Sequence, residues 1–575
     1  NMKQMILDIE TDGINPSVVW CAVFTNVDTG EHVTLAMPNH ADTQLVIDTC
    51  DVIIGHNMIG YDQPVLERLL GIDFSGVDIK DTLVMSRLLN PSLEGGHSLK
   101  AWGETLGFPK GDYNDWSQLT TEMVSYCEQD TLVTRKLYSV LIAKLKSFGT
   151  EAVDMEHKVQ AIITRQSKDG WQLDKALAED LLAGLRERQY DVIDEVLKVF
   201  IPLPTFIKVV SPKFKIDESM STVGLKFLGD DWTQVGAEFS RIEYPEFNLG
   251  SRPQIAKHLI HYGWKPTKLT PSGKPMVDET VLKNVEGIPE ASMICEYLLL
   301  QKRIAQVSSW VASVAEDGRV HGYVNSLGAI TNRMTHSNPN VAQVPSSGSP
   351  YGSECRACWV VRDGYKLVGM DASGLELRML AHYMNDEVYT TELLNGDIHT
   401  ANMKAAGLFS RDQAKTFIYA FLFGAGDAKI GSIVGGTSSA GKALKKKFLE
   451  NTPALADLRV RVEGASKKGY MKGIDGRHIH IRSAHAALNT LLQSAGAIVM
   501  KKALVLLDEY AQLQGINYTF VGNIHDEIQT EVRADQAHKF GRLATECMVA
   551  AGQQLNFRCA LAGEYKVGLS WADTH

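Results

Sequence analysis

The chain has 575 residues, too many for one ordinary core, so several structural units are expected. Its 44% hydrophobic and 22% charged residues exclude a disordered or fibrous polymer, and the most apolar run, AGAIVMKKALVLL, is interrupted by Lys501 and Lys502, which argues against a membrane span. A net charge of −10 excludes a globally basic protein, so any surface for a polyanion must be local, and the eight scattered cysteines read as reduced thiols.

The opening NMKQMILDIE lacks the apolar stretch of a signal peptide, and a cytoplasmic protein is expected. The first 145 residues alternate short apolar runs with helical stretches, the pattern of an α/β domain. In the predicted strand MILDIETDG, Asp8 and Glu10 share a face because side chains alternate. Asp62 follows in HNMIGYD, and Tyr126 and Asp130 lie one turn apart on a predicted helix. Four carboxylates with a tyrosine can bind two divalent ions and orient an attacking water. Asp81, in KDTLVMSRLL, is a further acid to which no role is assigned.

Residues 151 to 200 read as long amphipathic helices, and 201 to 247 as a Pro-, Gly- and β-branched-rich insertion, after which a helix resumes near NLGSRPQIAKHL. Further on, YKLVGMDASGLELRMLAHYM reads as a strand ending at Asp371 and a helix from about Gly374. Ser410 and Gln413 form a capping-box pattern, and Arg411, Lys415, Tyr419 and Phe423 then recur every fourth residue. Two cations in the first turns, where the helix dipole already attracts anions, suit a triphosphate with its sugar or base against Tyr419. In INYTFVGNIHDEIQTEV two β-prone runs flank His525, Asp526 and Glu527, which puts an acidic pair at a hairpin tip. If the two strands share a sheet, Asp371 and Asp526 can cradle paired magnesium ions. Basic clusters, among them Lys467, Lys468, Lys472, Arg477 and Arg482, read as solvated faces or local grips on a polyanion.

DASGLELR, RDQAKTFIYAFLFG and HDE resemble, in order and spacing, motifs A, B and C of the family A DNA polymerases. MDASGLELRMLAH, NGDIHT, KKKFLENTPA and HAALNTLLQSAGA are similar to the phage replicative type found in the T-odd coliphages. The resemblance implies a multidomain α/β and α+β fold: a ribonuclease H-like 3′–5′ exonuclease over 1–148, a thumb over 149–320 with its insertion at 201–247, a palm with an antiparallel sheet over 321–395 and 481–575, and helical fingers over 396–480. It implies template-directed DNA synthesis, with Asp371 and Asp526 as metal ligands and Glu527 in support. Arg411, Lys415 and His399 would contact the incoming dNTP, Tyr419 would favour acceptance of dideoxynucleotides, and Glu376 would exclude a ribose 2′ hydroxyl. Motif B commonly ends Tyr-Gly; here it is Phe423-Gly424, which keeps stacking and loses a hydroxyl.

The set Asp8, Glu10, Asp62, Asp130 and Tyr126 resembles the tyrosine-containing DEDD exonucleases, which implies metal-dependent proofreading. Primer-template contacts are implied for Arg333, Gln343, Asn489, Gln493 and His525, and phosphate contacts for Asn248, Ser251, Arg252 and Lys257. The cofactor implied is Mg2+, two ions at each centre. Further partners of this family are a processivity factor and a replisome helicase-primase. For the insertion, a self-contained extension of the DNA grip through Lys208, Lys213 and Lys215 is favoured over capture of thioredoxin. A single-subunit RNA polymerase is disfavoured by Glu376 and the exonuclease set, and an inactive scaffold by the intact acidic residues.

Overall fold

The computed structural model describes residues 1–211, 213–219, 221 and 238–575. It falls into two compact units, one made of 1–174 and 313–575, the other of 175–312.

Within the larger unit the N-terminal segment forms a five-stranded sheet in the order His32–Ala36, Val19–Asn26, Gln4–Thr11, Val52–Gly55, Asp78–Asp81. Gln4–Thr11 is central, antiparallel to Val19–Asn26 and parallel to Val52–Gly55. Alternation divides its side chains between two cores. Met5, Leu7 and Ile9 pack with Phe24, Ile53 and Met58, whereas Ile6 packs with Val133, Leu137 and Leu141 of the helix Thr121–Leu145. Asp8 and Glu10 share the parity of Ile6, so the strand itself aims both acids at that helix.

The second sheet is antiparallel, in the order Tyr518–Ile524, Glu527–Arg533, Tyr365–Ala372, Gly563–Gly568. Its Val368 and Met370 share one core with the helices Arg411–Leu422, Ala487–Leu513 and Ala537–Gln554. The helix Thr150–Asp169, expected to begin the thumb, packs instead within this unit, on Tyr518–Ile524 and Ala487–Leu513. Ala484–Leu513 is the one described stretch long and apolar enough to cross a membrane, and 83% of its most apolar window is buried inside the fold.

Lys501, on that helix, belongs to a buried set of four charges. Glu156 accepts from the Lys501 ammonium at 2.9 Å and from the Arg477 guanidinium at 2.6 Å. Arg477 also donates to Asp475 at 2.7 Å, and Lys501 to the Ser326 carbonyl at 2.7 Å. The sequence had grouped Arg477 with a solvated basic run; it is fully buried, neutralised by Asp475 two residues before it and by Glu156 from a distant helix. Arg477→Ala is expected to lower stability by about 3–5 kcal/mol, since it leaves Glu156 and Asp475 short of a partner. Chemical denaturation measures this, and a loss below about 1 kcal/mol would rule out a stabilising role.

In the smaller unit the helices Lys175–Leu197 and Pro289–Ser313 carry the length, joined by the ion pair of Arg188 with Glu296 at 2.7 Å. Part of the expected insertion forms a hairpin, Thr205–Val210 with Phe239–Glu243, and residues 222–237 lie outside the described residues. The resumed helix is Arg252–His261.

Candidate active sites

In the N-terminal domain one carboxylate or thiol atom from each of Asp8, Glu10 and Cys127 lies within 4.8 Å of the others. Asp62 ends a wide turn, Met58–Asp62, entered through Asn57 at φ +61°. That turn is clamped by Asp81, whose carboxylate accepts from the amides of Asn57 at 2.9 Å and Ile59 at 3.0 Å while capping Thr82–Leu89. This is the role the sequence left open: Asp81 holds the loop that presents Asp62. Asp130 and Tyr126 occur one turn apart on Thr121–Leu145, as the spacing predicts.

Lys110, which sequence reasoning missed, reaches the same place from an irregular segment and pairs with Asp130 at 2.9 Å. One oxygen each of Asp62 and Asp130 is buried with no hydrogen-bond partner. Burial and neighbouring carboxylates raise Asp8 to about 7 and Glu10 to about 10, and burial raises Asp130 to about 6 against the opposing Lys110 charge. Asp62 is raised by burial and then by Asp8 and Asp81. Crowded, desolvated carboxylates with unpartnered oxygens fit hard divalent cations.

A pH dependence follows. These acids are raised in the fold, so without a cation their contribution to stability is complete below the ordinary values of 3.8 and 4.5 and is lost as pH rises through about 6, 7 and 10. A bound cation must displace the retained protons, so its affinity rises with pH, by about tenfold per unit for each proton released. The Mn2+-induced gain in melting temperature is expected to be larger at pH 8 than at pH 6, and that difference to shrink in Asp8→Asn. Equal gains at both pH values in the unsubstituted protein would refute this.

The second carboxylate site sits at one end of the central strands of the antiparallel sheet. Asp371 pairs across it with Glu527 on one side and Glu564 on the other. The hairpin turns through His525, at φ +54°, and the Asp526 carbonyl accepts from the Ala372 amide at 3.0 Å. The two aspartates expected to converge are therefore fastened together through the backbone. Burial and the Asp371 charge raise Asp526, and one Asp371 oxygen is buried without a partner, which again fits a divalent cation.

Glu527 is engaged from both ends: it accepts from the Trp571 indole at 2.9 Å and faces His575 Nδ1 at 2.9 Å. His575 also lies 3.4 Å from Asp371, and its contacts with these two carboxylates raise it to about 10. Neither Trp571 nor His575 carried a spacing signal in the sequence. His525 occupies the turn itself and is exposed.

A line of side chains runs outward from Asp526. Glu376, raised by burial, senses Arg333 and Asp526; Tyr419, raised by burial, senses Glu376. The His399 ring lies 6.2 Å from Tyr419, and burial followed by the Arg411 and Lys415 charges lowers it. The helix under these cations runs Arg411–Leu422 with Ser410 accepting from the Gln413 amide at 3.1 Å. Only this half of the capping box forms, and the Gln413 side-chain oxygen is buried without a hydrogen-bond partner. Asp397 holds the Arg411 guanidinium at 2.9 Å and thereby aims it.

Arg333 and His525 line one pocket with His336 and Glu527, and Gln343 is exposed on the following turn. Asn489 accepts from Gln493 at 2.9 Å, so the two amides act as a pair. In the smaller unit Asn248 shapes a turn by accepting from Gly250, and Ser251 caps Arg252–His261. Lys257 donates to the Pro204 carbonyl at 2.6 Å and to Thr205 at 2.9 Å, which ties up part of its hydrogen-bonding capacity within its own unit. Arg252 is exposed in the first turn.

Residues 225–573 match the family described as DNA polymerase family A. The chain belongs to that family. Its phage character follows from two relatives: it is 35% identical to the DNA-directed DNA polymerase of Escherichia phage T7, over 99% of this chain and 100% of the relative, and 36% identical to that of Enterobacteria phage T3, over 91% and 92%. The T7 alignment runs over 706 positions against a chain of 575. In fold it is similar to the POL domain of Pol1 from M. smegmatis in complex with DNA primer-template and dNTP, with a TM-score of 0.80 at 18% identity, covering 100% of this chain and 96% of that one.

Proposed function

We propose that this phage-type, DNA-directed DNA polymerase extends a primer at Asp371 and Asp526 and removes nucleotides from the same 3′ end at Asp8, Glu10, Asp62 and Asp130. The observation that carries the first centre is the 3.0 Å backbone bond from Ala372 to Asp526, which holds the two aspartate segments side by side. Magnesium, two ions at each centre, would be held by these aspartates and Glu10, and when bound supplies positive charge to the reacting phosphate and hydroxyl oxygens.

The protein's own groups do the rest. Arg411 and Lys415, with His399, hold the triphosphate at the helix N-terminus, where the macrodipole adds to their charge. Tyr419 packs against the sugar, and Glu376 occupies the space a 2′ hydroxyl would need. Glu527 fixes the edge of the metal site through Trp571. Arg333, Gln343, Asn489, Gln493 and His525 follow the minor groove, where acceptors are common to all base pairs. Arg252, Asn248, Ser251 and Lys257 grip phosphates; Asn248 and Ser251 also shape the helix start, and Lys257 also bonds to Pro204 and Thr205. In the exonuclease centre Tyr126 orients the attacking water.

The domain reading is retained as exonuclease, thumb, palm and fingers, with Thr150–Asp169 placed beneath the palm. The hairpin carrying Lys208 extends the DNA grip, in preference to seating thioredoxin, and helicase-primase contact belongs to a replicative role in the host cytoplasm.

Primer extension with dNTPs and with NTPs tests the reading: extension with dNTPs alone is expected. Glu376→Ala should raise ribonucleotide incorporation by about tenfold or more relative to deoxynucleotide. Extension by the unsubstituted protein with NTPs as readily as with dNTPs, or with neither, would overturn it.

A further inference from the structure

Beside the four exonuclease carboxylates stands a cation that the DEDD pattern does not contain. Lys110 comes from the stretch between the helices Leu99–Thr105 and Thr121–Leu145, which has no regular element around it. It is nevertheless held. Gln129 donates to the Pro109 carbonyl at 3.0 Å, one residue before it, and Trp20 donates to the Trp116 carbonyl at 3.0 Å. Tyr113, Trp116 and Tyr126 form a triangle of rings with centroids 5.2 to 5.9 Å apart, so the segment is packed onto the very tyrosine of the site.

From this support the Lys110 ammonium lies 2.9 Å from Asp130 Oδ2 and 4.9 Å from the centre of the Tyr126 ring. It is three-quarters buried, while the Asp130 carboxylate is almost wholly so. Asp130 Oδ1 is left buried and without a partner.

We propose that Lys110 is a positioning residue of the exonuclease centre. By binding one oxygen of Asp130 it fixes the rotation of that carboxylate and leaves the other oxygen for a cation. Packed beside the Tyr126 ring, the same ammonium keeps that tyrosine next to the carboxylate it serves. A lysine has three donors and a compact charge, so one ammonium can serve both partners. A neutral side chain would leave Asp130 and Tyr126 free to turn independently. The inference rests on the proofreading reading.

The test is single-turnover degradation of a labelled single-stranded DNA by the full chain, over a range of Mg2+ concentrations, with primer extension as the control for folding. Loss of a group that orients a metal ligand typically costs about 10–100-fold. Lys110→Ala should therefore lower the degradation rate by about 10–100-fold, raise the Mg2+ concentration for half-maximal rate, and leave extension unchanged. Lys110→Arg should recover most of the rate. A rate for Lys110→Ala within twofold of the unsubstituted protein at every Mg2+ concentration would overturn the inference and leave proofreading intact. Failure of the unsubstituted protein to degrade DNA would instead overturn the proofreading reading, and the inference with it.

Discussion

Asp526→Ala is expected to reduce primer extension by about 1000-fold or more, while the same protein still shortens the primer. The size follows from the setting. Asp526 is largely desolvated and crowded by Asp371, so its charge is costly to maintain and acts at full strength on whatever cation neutralises it. The fold should survive, because the contact that fastens the hairpin uses the Asp526 carbonyl, which alanine keeps. Steady-state extension with a labelled primer reads the loss, and a rate within tenfold of the unsubstituted protein would remove Asp526 from the reaction.

Asp8→Ala should do the reverse, with degradation lost by a similar factor and extension unaltered. Asp8 is the most central of the four acids: Glu10 and Asp62 each feel it, and Cys127 lies 3.5 Å from its carboxylate. The two sites are built on separate sheets, one from Gln4–Thr11 and its neighbours, the other from Tyr365–Ala372 and its neighbours. No strand is shared between the two sheets. If extension fell with degradation, the two centres would not be independent.

The sequence was most legible where periodicity and chemistry coincide. Asp8 and Glu10 could be placed on one face because a strand alternates, and the start of the helix Arg411–Leu422 because Ser410 is a good cap. The strand-to-helix passage after Asp371 and the hairpin around Asp526 were equally visible, since apolar runs change period there. What stayed hidden depends on segments distant in sequence.

Arg477 looked like one more surface cation, because nothing local announces that Glu156 lies over it. Lys110 sits in a segment with neither period, so no face could be assigned to it. His575 meets Asp371 and Glu527 only through tertiary folding. The bonds of Lys257 to the Pro204 carbonyl and to Thr205 gave no local signal either, because these acceptors lie 53 and 52 residues upstream. Asp81 was noticed as an acid and could not be given a task, because its partners are backbone amides 22 and 24 residues upstream.

The central claim is that two carboxylate centres act in opposite directions on one primer end. It is tested most directly by a 5′-labelled primer annealed to template, incubated with Mg2+ and dNTPs, and followed for length with Asp526→Ala and Asp8→Ala in parallel. The account predicts that the label moves to shorter products with the first variant and to longer products with the second. A lengthening primer with Asp526→Ala, or a shortening one with Asp8→Ala, would contradict it.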